Sequence, residues 1–500
     1  MTEGNSQPQN VPGRRAAVLR LLVVADLAAG GEAGPLALTP EPGGIDAALA
    51  AVSPALSLVV PNRLGSAAKD LALSLRFRCL DDFHPEALAA QLPATSAAAA
   101  VPAAGTASPL DALLAQVEVP QTAQTPQTAQ VAEILRAEPL RALEADWRGL
   151  DFLARRAAPH PVVRIEVLAA PKEAFLDAFF EQVFPAEHDG TAEVPLSAVV
   201  LGYEFDRSPG DVEMLRHAGR MGESLRVPFL AAVGAPFWGL RQARLLAGLP
   251  DLVRKLQGPE YAKWNGLRLE DASLWLCLAA NRFRLRSAGD DGGAGQPLWG
   301  SGAYALAAVL VQGFAAGGVS FPLAGEAARL ADLSETPVEV PLPDAKILEL
   351  SRLGLALLTA ARGETAAHFP SLPTLHAPKR YVQDEATRNA VMVATLPYQA
   401  FAGAAAHVLQ EIAHETGGGL APEDVKRRFE EGLRAFLAGA GTEPAPEPET
   451  ATEPATPAIE VEVQPHAEDP GIWEVIVRLR PKFRISGGEV DLVLGSAVPR

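Results

Sequence analysis

The chain has 500 residues, of which 48% are hydrophobic and 21% are charged, and this supplies enough apolar material for two or three packed units. Its 43 basic and 60 acidic residues give a formal net charge of −17, which argues against the basic surface that nucleic acid or anionic lipid requires. Cys79 and Cys277 have no cysteine or histidine partner at metal-ligand spacing. They therefore predict neither a structural zinc site nor a disulfide framework.

The beginning of the chain predicts a small α/β domain at residues 16–92, preceded by a flexible polar arm at residues 1–15. The run Ala16–Ala25 is almost entirely apolar and ends at Asp26, which is typical of a buried strand. The further elements expected in this domain are a helix at 45–52, a strand at 55–60 and an alternating, half-buried strand at 71–77.

Residues 93–130 predict a linker, because they are rich in Ala, Pro, Thr and Gln and offer little surface to bury. Within the linker, residues 109–117 have the spacing of a short amphipathic helix. Its apolar face would consist of Leu110, Leu113, Leu114 and Val117. A small packing helix and a docking helix for a partner are both open interpretations.

Residues 131–438 predict an α/β core in which strands and helices alternate. Such a βαβ succession favours right-handed crossovers and a parallel sheet. The expected elements are a strand at 162–168, a helix at 171–184, a strand at 196–201, a helix at 209–222 and a strand at 227–233.

Two later stretches of this core predict helices. Residues 292–325 contain no charged side chain, and a buried helix at 299–314 is favoured over a membrane span because prolines and glycines divide the stretch. A long helical pattern at 384–412 is interrupted by Pro397, where a kink or a boundary is expected. A further amphipathic helix follows at 423–437.

The end of the chain predicts strands beyond an acidic, Pro-rich linker at 439–458. Residues 459–463, 473–480 and 488–494 have the composition of strands. The isolated strands in 459–500 and the arm before residue 16 are both candidates for strand exchange with a neighbouring protomer. The positions predicted for such pairing are Val475, Val477, Val490, Leu492 and Leu494.

No catalytic, cofactor-binding or metal-binding motif emerges from the sequence: it has no P-loop, no HExxH and no GxSxG. The densest carboxylate group is Glu204, Asp206, Asp211 and Glu213. Ser208 and Pro209 would begin a helix there, with Asp211 in its first turn, so structural roles are favoured over catalysis. An enzyme that uses these acids is the alternative.

Several motifs carry a resemblance to a known family. Trp147-Arg148-Gly149 lies in an amphipathic helix, and Tyr203-Glu-Phe-Asp-Arg-Ser-Pro-Gly-Asp-Val-Glu213 follows. Together with the later Arg480-Pro-Lys-Phe483, these motifs resemble the large sheath subunit of the bacterial type VI secretion system. Leu80-Asp-Asp-Phe-His-Pro-Glu86 is similar to part of the small sheath subunit of the same machine. The chain thus resembles a natural fusion of the two subunits.

The resemblance implies a cytoplasmic structural protein, attached through a baseplate to the cell envelope. It implies a homo-oligomeric helical sheath that surrounds an inner tube protein and contracts to propel it, without catalysis or cofactors. In related systems an AAA+ ATPase recycles contracted sheath through a helix for which residues 109–117 are the suggested counterpart. The segments around that helix are abbreviated here, which makes the ATPase the weakest implied partner. A non-contractile, sheath-derived scaffold or assembly cap is the alternative function.

Overall fold

A computed structural model describes residues 18–38, 43–64, 68–93, 125–288, 296–318, 323–325, 328–439 and 458–500. In these ranges the strands are β1 (Leu19–Ala25), β2 (Gly34–Leu36), β3 (Ala55–Pro61), β4 (Asp70–Arg76), β5 (Val163–Ala169), β6 (Ala198–Phe205), β7 (Phe229–Val233), β8 (Leu276–Ala280), β9 (Phe283–Arg286), β10 (Leu298–Gly300), β11 (Leu355–Leu357), β12 (Ile459–Pro465), β13 (Ile472–Leu479), β14 (Arg484–Ile485), β15 (Gly488–Glu489) and β16 (Leu492–Pro499).

The α-helices of the same ranges are α1 (Gly44–Val52), α2 (Pro85–Ala90), α3 (Pro126–Arg136), α4 (Glu138–Ala157), α5 (Phe175–Gln182), α6 (Phe184–His188), α7 (Pro209–Leu225), α8 (Leu252–Leu256), α9 (Ala262–Leu267), α10 (Gly302–Gly317), α11 (Asp344–Arg352), α12 (Asp384–Val393), α13 (Leu396–Thr416) and α14 (Pro422–Gly439).

A central sheet of seven strands organises the fold, in the order β11-β8-β7-β6-β1-β5-β2. All neighbouring strands are parallel except the edge strand β2, which is antiparallel to β5. The expected parallel sheet is confirmed. The sequence pattern did not indicate that β1 lies between β5 and β6, with Leu21 opposite both Ile165 and Ala198.

The two faces of this sheet are covered by two separate hydrophobic cores. Leu21, Val23 and Ala25 of β1 belong to the core on one face, which includes residues of α4, α10 and the β3–β4 hairpin. Leu22 and Val24 belong to the core on the other face, which includes residues of α5 and α7. A strand that is buried on both faces is apolar at nearly every position, and this explains the unbroken apolar run of β1.

The position of β1 changes the expected division of the chain. Residues 16–92 were expected to form a domain of their own, but β1 is an interior strand of the sheet whose other strands follow residue 130. The linker expected at 93–130 also ends earlier, because α3 begins at Pro126 and Thr125 caps it by accepting a hydrogen bond from the Thr128 backbone N–H.

Helix α10 is buried along most of its length, as the uncharged stretch predicted, although it begins at Gly302 and Trp299 belongs to strand β10. Tyr304, Leu306 and Val311 are all fully buried in it. Among the described ranges, no helix is both long and apolar enough to cross a membrane.

A third hydrophobic core joins the C-terminal helices to the last strands. Residues of α12, α13 and α14 pack with those of β12, β13 and β16. The helices expected in the 131–438 core therefore share a unit with the strands expected as separate in 459–500. The boundary expected at Pro397 is confirmed, since α12 ends at Val393 and α13 begins at Leu396.

The Trp147-Arg148-Gly149 motif connects the helices to the central sheet. The Trp147 indole N–H donates to the Leu27 carbonyl oxygen over 3.1 Å, just beyond the end of β1. Gly149 lies against the ring of Tyr304, where an added Cβ would approach Tyr304 Cδ2 to 2.6 Å. The glycine is therefore what allows α4 and α10 to pack this closely.

We expect Gly149→Ala to lower the free energy of unfolding by about 1–2 kcal/mol, since overpacking a buried contact costs more than the helix propensity of alanine returns. The measurement is urea denaturation of the purified chain. Gly266→Ala is the matched control, because a Cβ at Gly266 in α9 meets nothing within 4 Å. It should be neutral or stabilising by up to about 1 kcal/mol, and equal effects of the two changes would contradict the packing argument.

Candidate assembly site

The last strands form an antiparallel sheet in the order β12-β13-β16. Val477 of the middle strand lies opposite both Val461 of β12 and Leu494 of β16. Because side chains alternate between faces, these three residues share one face with Val475, Leu492 and Val498. That face is part of the third core and packs against α13 and α14.

The five residues predicted to pair with a neighbouring protomer have different positions in this sheet. Val475 and Val477 are fully buried in β13, both of whose edges are already paired within the chain. They cannot accept a strand from another chain in this conformation. Val490 is buried just before β16, whereas Leu492 and Leu494 lie in β16, which has one partner strand among the described residues.

The free edge of β16 can be located residue by residue. The Arg500 backbone N–H donates to the Gly471 carbonyl oxygen over 2.8 Å. Backbone polar groups alternate in direction along a strand, so every second residue back from Arg500, from 498 to 492, directs its N–H and C=O groups towards β13. The alternate residues Val493, Gly495 and Ala497 therefore direct their backbone N–H and C=O groups away from β13. All three residues are exposed.

The two outer strands of the sheet differ in charge. β12 has Glu460 and Glu462, and charged residues on an edge strand oppose pairing with another chain. β16 has the sequence Leu-Val-Leu-Gly-Ser-Ala-Val-Pro, with no charged side chain, and Val493 is 58% exposed. Within the part of the chain that the structure describes, the edge of β16 is thus the one that carries no charged side chain to oppose strand addition.

An ion pair fixes the chain where it enters β16. Arg478 Nε and Nη2 donate to the two carboxylate oxygens of Asp491 over 2.7 Å and 2.5 Å. The hydrogen bonds from Arg478 lower the pKa of Asp491, and the charge of Arg480 acts in the same direction. This two-point contact from the middle strand orients the start of β16.

The predicted docking helix at residues 109–117, with Leu110, Leu113, Leu114 and Val117, lies outside the described residues.

The acidic group at 204–213 is divided among different partners. The Asp206 carboxylate accepts a hydrogen bond from the Ser208 N–H, and Asp211 accepts from Lys172 Nζ and from the Asp206 N–H over 2.7 Å and 2.6 Å. As predicted, the Ser208 hydroxyl caps α7 by accepting from the Asp211 N–H. Glu213 pairs with Arg216 on the surface of α7. These contacts account for three of the four acids structurally.

The fourth acid, Glu204, belongs to a cluster at the carboxyl edge of the central sheet that sequence reasoning missed. Asp26 directly follows β1, Asp146 lies in α4, and the Tyr304 hydroxyl donates to Asp146 Oδ1 over 3.5 Å. Burial raises the pKa of Asp146 well above its ordinary value, and the nearby charge of Asp26 adds to this. Burial also raises the pKa of Glu204, although the positive charge of Arg282 acts to lower it.

Partly buried carboxyl groups with raised pKa values at this edge of a parallel sheet are the arrangement in which a ligand site is sought. The described parts of the chain contain no group of three or more His, Cys, Asp or Glu residues that could hold a metal ion. The cluster depends on the order of strands in the sheet, because the position of β1 beside β6 brings Asp26 and Glu204 to the same edge, where both influence Asp146. No local sequence signal could have revealed it.

Comparison with protein families gives three consecutive matches. Residues 18–101 match the model described as type VI secretion system, VipA, VC_A0107 or Hcp2. Residues 124–376 match EvpB/VC_A0108, tail sheath N-terminal domain, and residues 385–498 match EvpB/VC_A0108, tail sheath gpW/gp25-like domain.

A curated relative is the type VI secretion system sheath protein TssC1 of Pseudomonas aeruginosa, 26% identical over 413 residues, which are 73% of this chain and 82% of the relative. Solved structures include the helical sheath of the anti-feeding prophage in its contracted state, with 11% identity and a TM-score of 0.41 over 100% of this chain and 95% of that one. The baseplate structure of the same prophage matches with 11% identity and a TM-score of 0.42, over 100% of this chain and 94% of that one. The sheath tail protein Lin1278 of Listeria innocua matches with 11% identity and a TM-score of 0.37, over 67% of this chain and 61% of that one.

The structural interpretation of the 204–213 acids predicts that Asp211→Asn lowers the free energy of unfolding by about 1–2 kcal/mol, because the change weakens hydrogen bonds made to a charged group. Glu213→Gln is the control: its carboxylate is 47% exposed, so the loss should stay within about 0.5 kcal/mol. Chemical denaturation at pH 7 measures both. Equal losses of unfolding free energy in the two variants would contradict the structural role assigned to Asp211.

The Asp146 carboxyl predicts a specific pH dependence. Its folded pKa is raised, so above the unfolded pKa of about 4 the folded state keeps a proton that the unfolded state releases, and stability falls as pH rises. The Asp146→Asn variant has no titrating carboxyl at this position, so its free energy of unfolding should fall less steeply with pH. Near pH 7 the variant should be more stable than the parent. Urea titrations at pH 4, 5.5 and 7 measure the difference; parallel slopes for the two proteins would contradict it.

Proposed function

Since this chain belongs to the EvpB/VC_A0108 tail-sheath family, and is thus a structural sheath protein, we propose that it polymerises into a helical tube around an inner tube and contracts to propel it. The observation that carries this proposal is the outer edge of β16, which is uncharged and has no partner strand among the described residues. A sheath has to hold together while its subunits move, and strand addition supplies a row of directional main-chain hydrogen bonds for this purpose.

In the proposed assembly, an extended segment of a neighbouring copy pairs with β16. Val493, Gly495 and Ala497 supply the outward N–H and C=O groups, and the missing side chain of Gly495 and the methyl group of Ala497 leave the approach open. The added strand would extend the sheet β12-β13-β16 beyond its present edge. The third core behind that sheet would then connect each contact to α13 and α14.

One polypeptide supplies both components of the proposed sheath. The part that matches the small component contributes β1, and β1 lies inside the sheet formed by the part that matches the large component. The contact between the two components is therefore made within the chain. We infer that no separate small subunit is needed to complete the protomer.

The proposal includes partners that follow from the family. The sheath would surround an inner tube protein and be anchored on a baseplate, with the assembly in the cytoplasm and attached through the baseplate to the cell envelope. An AAA+ ATPase is the weakest of these partners, because the segment predicted as its docking helix, residues 109–117, lies outside the described residues. The protomer would act without catalysis, since Asp206, Asp211 and Glu213 are each held by hydrogen bonds or ion pairs.

We expect Ala497→Pro to abolish or strongly reduce tube formation, because proline removes one outward N–H and adds bulk at the free edge of β16. The ladder to β13 does not use the N–H of Ala497, so the protomer should remain folded. Ala497→Thr is the matched control, since threonine keeps the N–H and suits a strand. Negative-stain electron microscopy and sedimentation across protein and salt concentrations measure assembly.

Tubes from the parent and from the threonine variant but not from the proline variant would support strand addition at β16. Normal tubes from the proline variant would contradict it. Monomers or small rings from the parent, even with the inner tube protein added, would favour the non-contractile scaffold or cap. Truncation of residues 488–500 is a poorer test, because Val490, Leu492 and Val498 belong to the third core.

A further inference from the structure

The β3–β4 hairpin has an open edge on β4. Helices α3 and α4 contact β3, whereas β4 has β3 as its one partner strand among the described residues. Strand β4 has the sequence Asp-Leu-Ala-Leu-Ser-Leu-Arg, and its leucines face the core beneath the hairpin while the other four residues are exposed. The hairpin therefore covers the core with one face and presents the outer edge of β4 to solvent.

Backbone groups at alternate positions of β4 point out from this edge. The Phe77 N–H donates to the Pro54 carbonyl oxygen over 3.3 Å, so residue 77, directly after β4, points towards the β3 side of the hairpin. The direction alternates along an antiparallel strand, and the register of β3 with β4 is unbroken. Residues 71, 73 and 75 therefore also point towards β3, and residues 70, 72, 74 and 76 point outward.

One of these outward positions is already occupied by a side chain. The Arg76 N–H donates to Gln91 Oε1 over 2.9 Å, and Gln91 Nε2 donates to the Arg76 carbonyl oxygen over 3.1 Å. The glutamine amide thus makes the two hydrogen bonds that a neighbouring strand would make. The outward N–H and C=O groups of Ala72 and Ser74 have no partner among the described residues, and both side chains are small.

The charges of β4 suit a second copy of the same strand. Asp70 and Arg76 are its two charged residues, one at each end, and neither side chain has an ion-pair partner within the described ranges. When two β4 strands pair antiparallel about Leu73, Ala72 lies opposite Ser74 of the second copy. Asp70 then lies opposite Arg76 of the second copy at both ends, and opposite charges across two strands attract. A parallel pairing in register would place like charges together.

We propose that two copies of this protein associate through β4, as an antiparallel pair related by a twofold axis at Leu73. Ala72 and Ser74 of the two copies form four main-chain hydrogen bonds, and Asp70 pairs with Arg76 of the second copy at each end. Beyond Ser74 the Gln91 amide stays between the strands, and the long Arg76 side chain spans this extra width.

The proposed contact makes a dimer and no polymer. A twofold interface uses the same surface on both copies and closes on itself, so it cannot extend into a tube. The proposal does not depend on tube formation, and it leaves the outer edge of β16 open. Few hydrogen bonds and two exposed ion pairs make the association weak, and salt weakens it further.

Charge reversal at the two ends of β4 tests the contact. Asp70→Arg alone places arginines opposite each other at both ends, and Arg76→Asp alone places aspartates there, so each variant should raise the dissociation constant about fivefold or more. Sedimentation velocity at low salt, over a range of protein concentrations, measures the dimer. All proteins carry Ala497→Pro to suppress tubes, and sedimentation resolves monomer and dimer from any tubes that remain.

Mixing the two single variants provides the decisive comparison. One copy then has arginine at both ends of β4 and the other has aspartate at both ends, so the mixture should form heterodimers about as well as the parent. This restoration also excludes misfolding of either variant. The matched control is Arg380→Asp and Glu385→Arg, which change exposed charges away from β4 and should leave dimerisation unchanged, alone or mixed. A mixture that associates no more than its components would overturn the proposal.

Hydrogen exchange locates the contact on the parent. The Ala72 and Ser74 amides should become protected as the protein concentration rises, whereas those of Leu71 and Leu73, which point towards β3, should change little. A parent that stays monomeric at every concentration would contradict the proposal. So would a dimer whose added protection lies on β16 or on any surface other than β4.

Discussion

The rest of the structure depends on the insertion of β1 between β5 and β6. This strand pairs in parallel with β5 along its whole length and with β6 over residues 21–24, and its side chains are divided between the cores on the two faces of the sheet. The Trp147 indole is held at its carboxyl end, and Arg20 near its amino end is held by Glu166 and Glu187. Without β1 the sheet would have two exposed interior edges, and α4 would lose its anchor on the sheet.

The sequence was sufficient for those parts of the fold that depend on local patterns. Apolar periodicity located most of the strands and helices, and the Ser208-Pro209 pair predicted the start and cap of α7, which the structure confirms. It was not sufficient for pairings between distant segments. Nothing local to residues 19–25 indicates which strands will flank them, because an apolar run is equally suited to the middle of any parallel sheet. For the same reason the cluster of Asp26, Asp146 and Glu204 had no signal in the sequence.

The candidate assembly site shows the same limit in another form. Alternation correctly marked β13 as a strand, whereas the strand expected at 488–494 is divided between β15 and the start of β16, which continues to Pro499. The apolar pattern selected Val475, Val477 and Leu492 because their side chains stand out. Those side chains face the protomer's own third core. The groups available to another chain are backbone atoms of Val493, Gly495 and Ala497, whose side chains are unremarkable. Side-chain patterning reports which face of a strand is buried, whereas an open edge is a property of the whole sheet.

The joining of two sheath components through residues 94–124 has a further consequence for how the protomer forms. When β1 and its acceptor strands are on one chain, their encounter is governed by an effective concentration set by the connection, of the order of millimolar, instead of by the amounts of two separate proteins. The ratio of the components is fixed at one to one by translation. Neither component can then be made in excess. A large component without β1, whose sheet would have open edges prone to aggregation, therefore does not accumulate.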